Sequence, residues 1–167
     1  MTFVPGQPIE DVAHADASER NRVAALLFEL FLVELFQLRL VQTDPNFANY
    51  QYNPETGQVV LLDFGASRRF KAALVRGFRD LLTRAIAGDR PGMINAAESI
   101  GYQLGPDNSS YQQTLLELAD IALVPLTVNK PYDFGRSSIP QQLMQRLEPL
   151  KNNSTFWQLP PIDVAYI

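Results

Sequence analysis

The sequence predicts a mainly α domain carrying a small β-hairpin set against a buried helix. Three observations predict it. An apolar stretch over 24–41 is long enough for a core helix. Apolar residues recur at helical spacing through most of the second half. Two short β-like runs, 50–52 and 58–62, are separated by Asn53-Pro54-Glu55-Thr56-Gly57, a connection whose Pro and Gly suit a hairpin. The 167 residues fit one ordinary domain and suffice to bury a core.

The elements follow in order. Residues 1–8 (MTFVPGQP) read as an extended segment and a Pro/Gly turn. Asp16 and Glu19 have the spacing of a capping box, in which a side-chain oxygen and a carboxylate three residues on satisfy free first-turn amides. Ser18 is an alternative cap. The helix that follows is expected to reach Val41 and, being apolar on nearly every face, to lie deep in the domain. Residues 42–49 (QTDPNFAN) carry the Asp-Pro and Asn chemistry of a loop. After the hairpin, the run Val59-Val60-Leu61-Leu62 ends on Asp63-Phe64-Gly65, where Gly65 is expected to allow a sharp turn. A helix is expected over 71–87, stopped by Gly88-Asp89-Arg90-Pro91. Further helices are expected over 93–102, 111–126 (capped by Ser110) and 140–150. A Pro/Asn/Gly loop fills 127–138, and an irregular tail carries Trp157. No linker or repeat divides the chain.

Composition narrows the function. A net charge of −4 and the lack of a Lys/Arg stripe argue against nucleic acid as a partner. The one basic patch is Arg68-Arg69-Phe70-Lys71, which reads as solvated surface. With no Cys and a single His, neither a disulfide framework nor a thiolate or His-rich metal site is available. Glu29, Glu34 and Arg39 interrupt the apolar stretch and would be costly at a bilayer centre, so no transmembrane segment is expected there. No secretory signal pattern opens the sequence.

The chemistry lies in an ordered set: core helix, D-x-x-x-x-N at Asp44 and Asn49, hairpin, and Asp63-Phe64-Gly65 fourteen residues after Asn49. Phosphoryl transfer calls for these residue types. Mg²⁺ takes hard oxygen ligands, often one or two from protein with phosphates completing the shell. A strand-end carboxylate and a loop amide can converge on it, while a second carboxylate orients the attacking group and accepts its proton. Taken singly, Asp44 before Pro45 makes a turn, and Asn49 suits a loop. The triplet alone is weak, since a second copy stands at Asp133-Phe134-Gly135 with no strand feeding it and no D-x-x-x-x-N upstream. That copy reads as a structural turn.

The stretch from Leu35 through Gln42-Thr43-Asp44-Pro45-Asn46-Phe47-Ala48-Asn49, with Leu61-Leu62-Asp63-Phe64-Gly65-Ala66, resembles the UbiB family of atypical kinases, nearest to its coenzyme Q (ubiquinone) biosynthesis branch. Residues 1–6 and Pro131-Tyr132-Asp133-Phe134-Gly135 resemble further family segments. The resemblance implies a protein-kinase-like C-terminal lobe over 1–167, with a hinge at 1–8 and the catalytic loop, hairpin and DFG at 42–65. It implies ATP and Mg²⁺ as cofactors, Asp44 as catalytic aspartate, Asn49 and Asp63 as metal ligands, and Thr2, Phe3 and Val4 at the adenine. The phosphate acceptor is unassigned, with quinone-pathway proteins or lipids as candidates. The implied location is cytoplasmic or peripheral to a membrane: bacterial cytoplasm, or mitochondrial matrix if the source is eukaryotic. Gln42-Thr43 stand where ordinary protein kinases have His-Arg, which departs from protein-substrate kinases.

No phosphate-binding loop, strand lysine or partner glutamate is found in the sequence. The expectation is therefore a C-lobe without its N-lobe, inactive alone, whose parent is a kinase or ATPase. Two other readings compete. A small-molecule phosphotransferase of the aminoglycoside or choline kinase kind would carry His where Gln42 stands. A pseudokinase-like interaction module would leave the acidic residues structural.

Overall fold

The computed structural model of the chain describes residues 5–44, 46–104 and 109–148. The cap at Asp16 forms: its carboxylate accepts the Glu19 N–H at 2.9 Å and opens α1, Ala17–Val33. Glu19 itself turns to Arg22, 2.8 Å away, and to the Tyr52 hydroxyl. A π-helical segment, Glu34–Leu38, continues α1. Arg39 then ends it with φ 56°, the left-handed region that L residues seldom occupy.

That turn corrects the helix expected to reach Val41. Leu40–Gln42 is instead a strand, β2. The Arg39 carbonyl accepts the Phe70 N–H at 2.8 Å, and β2 pairs antiparallel with the later strand Ser67–Arg69. Val41 thereby packs with Leu35, Phe70 and Val75 in a buried cluster. Helical periodicity and a β run cannot be told apart over so few apolar residues, and the left-handed Arg39 decides between them.

The expected burial of the helix on all sides is corrected as well. Within α1 only Val23 is buried, and Phe28 is 53 % exposed. Its cover comes from the 3₁₀ turn Ile9–His14 and the hairpin, which meet the face bearing Val23 and Leu27. An apolar helix is buried only as far as it has partners.

The hairpin forms as expected. Strands β3 (Tyr50–Asn53) and β4 (Gln58–Leu61) pair with Tyr50 opposite Leu61 and Asn53 opposite Gln58. Asn53 organises the loop, its side-chain oxygen accepting the N–H groups of Glu55 (2.9 Å) and Thr56 (3.3 Å). Gly57 closes it at φ 70°. The short strand β1, Gln7–Pro8, adds to the other side of β3. The strand Ser67–Arg69 is β5.

Contacts divide the chain into two compact units, one ending at Val75 and the other beginning at Arg76. The boundary falls inside a continuous helix, α2 (Ala72–Ile86), so no linker composition marks it. In the second unit Gly88, at φ 69°, ends α2. The stop expected over 88–91 is only half a stop. Asp89 caps α3 (Arg90–Ser99), with Pro91 in the first turn, where its missing N–H costs nothing. The helix expected over 111–126 is two: α4 (Ser109–Ala122) and α5 (Val124–Thr127), whose Pro125 has no N–H to continue α4. The last described helix, α6 (Ile139–Leu147), is joined to α4 by an Arg146–Glu117 ion pair. Ala97, Leu104 and Tyr111 form the unit's core. The expected tail beyond 148 lies outside the described residues. Among those described, no helix is long and apolar enough to cross a membrane.

Candidate active site

Two loops of the first unit meet at the candidate site. One follows β2 and holds Asp44. A 3₁₀ turn, Phe47–Asn49, closes that loop, with the Asn46 side chain accepting the Ala48 N–H at 3.0 Å. The other loop links β4 to β5 and holds Asp63. Strand pairing brings the loops side by side. β3 starts directly after Asn49 and pairs with β4, while β2 ends just before Thr43 and pairs with β5.

Specific hydrogen bonds then join them. The Asn49 carbonyl accepts the Leu62 N–H at 2.9 Å, one residue before Asp63. Thr43 gives both its N–H (3.3 Å) and its hydroxyl (2.6 Å) to the Ala66 carbonyl. The Gln42 side chain donates to the Asp63 carbonyl at 2.7 Å and accepts the Asp44 N–H at 3.3 Å. The loops of Asp44, Asn49 and Asp63 are thus joined by backbone hydrogen bonds and by the side chains of Gln42 and Thr43. Both carboxylates are exposed, and Asn49 is half-buried.

The Asp63 carboxylate is oriented by its own turn, accepting the Gly65 N–H at 2.7 Å. Gly65 makes this turn without a positive φ, which corrects the reason for a glycine there. A Cβ at Gly65 would stand 3.1 Å from Asp63 Oδ1, so a side chain would crowd the carboxylate. Close approach, not backbone permissiveness, is what Gly65 supplies.

Asn49 and Asp63 provide only oxygen donors, which suits a hard divalent cation better than a soft one. Among the described residues no cluster of three or more His, Cys, Asp or Glu could hold a metal by itself. An amide and a carboxylate fit an ion whose remaining ligands come from phosphate and water. Tyr50, next to Asn49, has its phenol pushed above its ordinary value by burial, then by the negative charges of Glu34 and Asp44. It therefore stays protonated beside the site. Thr2, Phe3 and Val4 lie outside the described residues.

The second triplet, in the second unit, forms a turn, as expected. Asp133 opens the 3₁₀ turn Phe134–Arg136, accepts the Gly135 N–H at 3.0 Å and faces Arg136 at 3.6 Å. Phe134 packs edge-on to Tyr132, ring centres 5.0 Å apart. What the sequence reading missed is the joining role of Gln42 and Thr43. Their position directly before Asp44 was the available signal.

Comparisons with known proteins identify the family. The ABC1 atypical kinase-like domain matches residues 1–97, more than half of the chain. The chain belongs to this family of atypical kinases. Its UbiB-type character and kinase-like lobe, anticipated from the Gln42–Asn49 and Leu61–Ala66 stretches, are therefore established. Atypical kinase COQ8B, mitochondrial, of Rattus norvegicus is 31 % identical over 157 residues, covering 89 % of this chain and 30 % of that protein. Atypical kinase COQ8, mitochondrial, of Saccharomyces cerevisiae is 29 % identical over 99 % of the chain and 33 % of its own length. Atypical kinase coq-8, mitochondrial, of Caenorhabditis elegans is 32 % identical over 89 % of the chain and 20 % of its own. The chain thus spans between a fifth and a third of these atypical kinase relatives.

Proposed function

We propose that this chain carries the catalytic-loop half of a nucleotide site in a UbiB-type atypical kinase or ATPase that supports ubiquinone biosynthesis. The observation that carries the reading is the joining of the Asp44 and Asp63 loops through Gln42, Thr43 and the Asn49–Leu62 hydrogen bond. In this reading Asn49 and Asp63 would hold Mg²⁺, with nucleotide phosphates and water as its other ligands. When bound, the ion neutralises charge on those phosphates. Asp44 orients the attacking hydroxyl or water and accepts its proton, a task its exposed position permits. The Gly65 N–H holds the Asp63 carboxylate in one orientation, so the ligand is set before the ion arrives.

Turnover is assigned to a protein that joins this half to a phosphate-binding lobe, since the chain spans a fifth to a third of its relatives. The candidate acceptors are quinone-pathway lipids or proteins for a kinase and water for an ATPase. The setting is bacterial cytoplasm, the mitochondrial matrix in a eukaryote, or a membrane periphery; the matrix reading draws on the word mitochondrial in the relatives' names.

The test is Mg²⁺-dependent ATP binding and turnover in such a two-lobed protein. Asp63→Asn is expected to weaken Mg-ATP binding about tenfold or more, while Asp44→Asn should keep binding and cut turnover by about 100-fold. Equal Mg-ATP binding by Asp63→Asn would refute the metal assignment. Unchanged turnover by Asp44→Asn would refute the catalytic one.

A further inference from the structure

Gln42 is half-buried at the end of β2, in register with Ser67 of β5. Three hydrogen bonds meet at this residue. Its backbone N–H donates to Glu34 Oε2 at 3.1 Å, a carboxylate carried on the π-helical segment. Its Nε2 donates to the Asp63 carbonyl at 2.7 Å, and its Oε1 accepts the Asp44 N–H at 3.3 Å. A primary amide suits the last two tasks because it gives at one atom and takes at its neighbour. A carboxylate only accepts and an ammonium only donates.

We propose that Gln42 is a positioning residue: its single side-chain amide locks the Asp63 loop to the Asp44 loop, with Glu34 fixing its backbone. Metal affinity at Asn49 and Asp63 then depends on a side chain assigned no contact with metal or nucleotide. The functional consequence rests on the metal assignment proposed above, whereas the lock is read from the hydrogen bonds themselves. Gln42→Glu separates the two halves of the lock. It keeps an acceptor for the Asp44 N–H but sets an acceptor against the Asp63 carbonyl. Gln42→Ala removes both.

The experiment is amide hydrogen exchange by NMR on this chain, followed by titration with Mn²⁺ alone. In Gln42→Ala, exchange at the Asp44 amide is expected to rise at least tenfold. In Gln42→Glu, Asp44 should stay protected while the Gly65 amide exchanges at least tenfold faster. Protection across the β3–β4 ladder reports that the unit is folded, and Gln42→Glu carries the test if Gln42→Ala loses that ladder. Unchanged exchange at Gly65 in Gln42→Glu, with the ladder intact, overturns the lock. The wild-type chain should show Mn²⁺ broadening at the Asn49 and Asp63 amides, with an apparent affinity at least threefold weaker in Gln42→Glu. Equal Mn²⁺ affinity alongside altered exchange reduces Gln42 to a structural link and overturns its positioning role. No broadening in the wild type removes the metal assignment, and the exchange data still decide the lock.

Discussion

Tyr52 on β3 shows how much one residue of the first unit carries. Its ring is 1 % exposed and packs with Ile9, Val12 and Val23. Its hydroxyl is held between Arg22 and Glu19, which also pair with each other at 2.8 Å. The Arg22 guanidinium lies 5.4 Å from the ring centre. Burial supplies most of the stabilisation, and the hydroxyl adds a smaller share. Tyr52→Ala should therefore cost about 3–5 kcal/mol, as expected for removing a buried aromatic ring. Tyr52→Phe should cost only about 0.5–1.5 kcal/mol, because Arg22 and Glu19 keep each other. Urea unfolding followed by circular dichroism checks both, and equal losses would contradict the division. The two Asp-Phe-Gly triplets teach the complementary lesson. Asp63 and Asp133 make the same Asx turn to the glycine two residues on, at 2.7 and 3.0 Å. The triplet encodes a turn wherever it occurs, and its surroundings decide whether that turn has chemistry to do.

Among the elements, α3 depends on its cap. Asp89 accepts the Gly92 N–H at 2.9 Å and pairs with Arg84, also at 2.9 Å. The Gly92 N–H first, then Arg84, hold its carboxyl below the ordinary carboxylate value of 3.8. A depressed carboxylate contributes stability that is whole above its unfolded pKa and fades as pH falls through the lower folded value. The thermal midpoint of the wild type should therefore exceed that of Asp89→Asn at neutral pH. The gap should begin to shrink as pH falls through the ordinary value of 3.8 and close only below the lower folded value, where the carboxylate is protonated in both folded and unfolded chains. Asparagine keeps a capping oxygen, so the variant should retain α3. A gap independent of pH would show that the charge is irrelevant. At the other end of the chain, the π-helical segment and left-handed Arg39 show an element decided by its exit. Glu34 on that segment faces the Gln42 N–H, a placement that a helix running on to Val41 would not give.

At the scale of the whole molecule, each of the two units carries its own core. In the second unit Gly77 is buried on α2, and a Cβ there would stand 2.2 Å from Ile100 Cγ2. Gly77→Ala gains helix propensity, yet overpacking should win, with a net loss of about 1–3 kcal/mol. Amide exchange should show that loss in the protection of α2 and α3. A stabilised variant would mean that Ile100 gives way freely.

Much of the candidate site was legible in the sequence, because Asp44, Asn49 and Asp63 are set by spacing around a hairpin whose strands announce themselves. The hairpin, the cap at Asp16 and the turn character of Asp133 were legible too, since each rests on residues within a few positions of one another. Tertiary structure alone decided the rest. Strand β2 needed β5, twenty-five residues later, to be distinguished from the end of a helix. The exposure of Phe28 depended on which faces of α1 found partners. Gln42 looked like a bare departure from kinase sequences until the fold set it between the Asp63 carbonyl and the Asp44 N–H. Local propensities select residue types and turns over a few positions. Which loops a side-chain amide can join is fixed only when distant strands have paired.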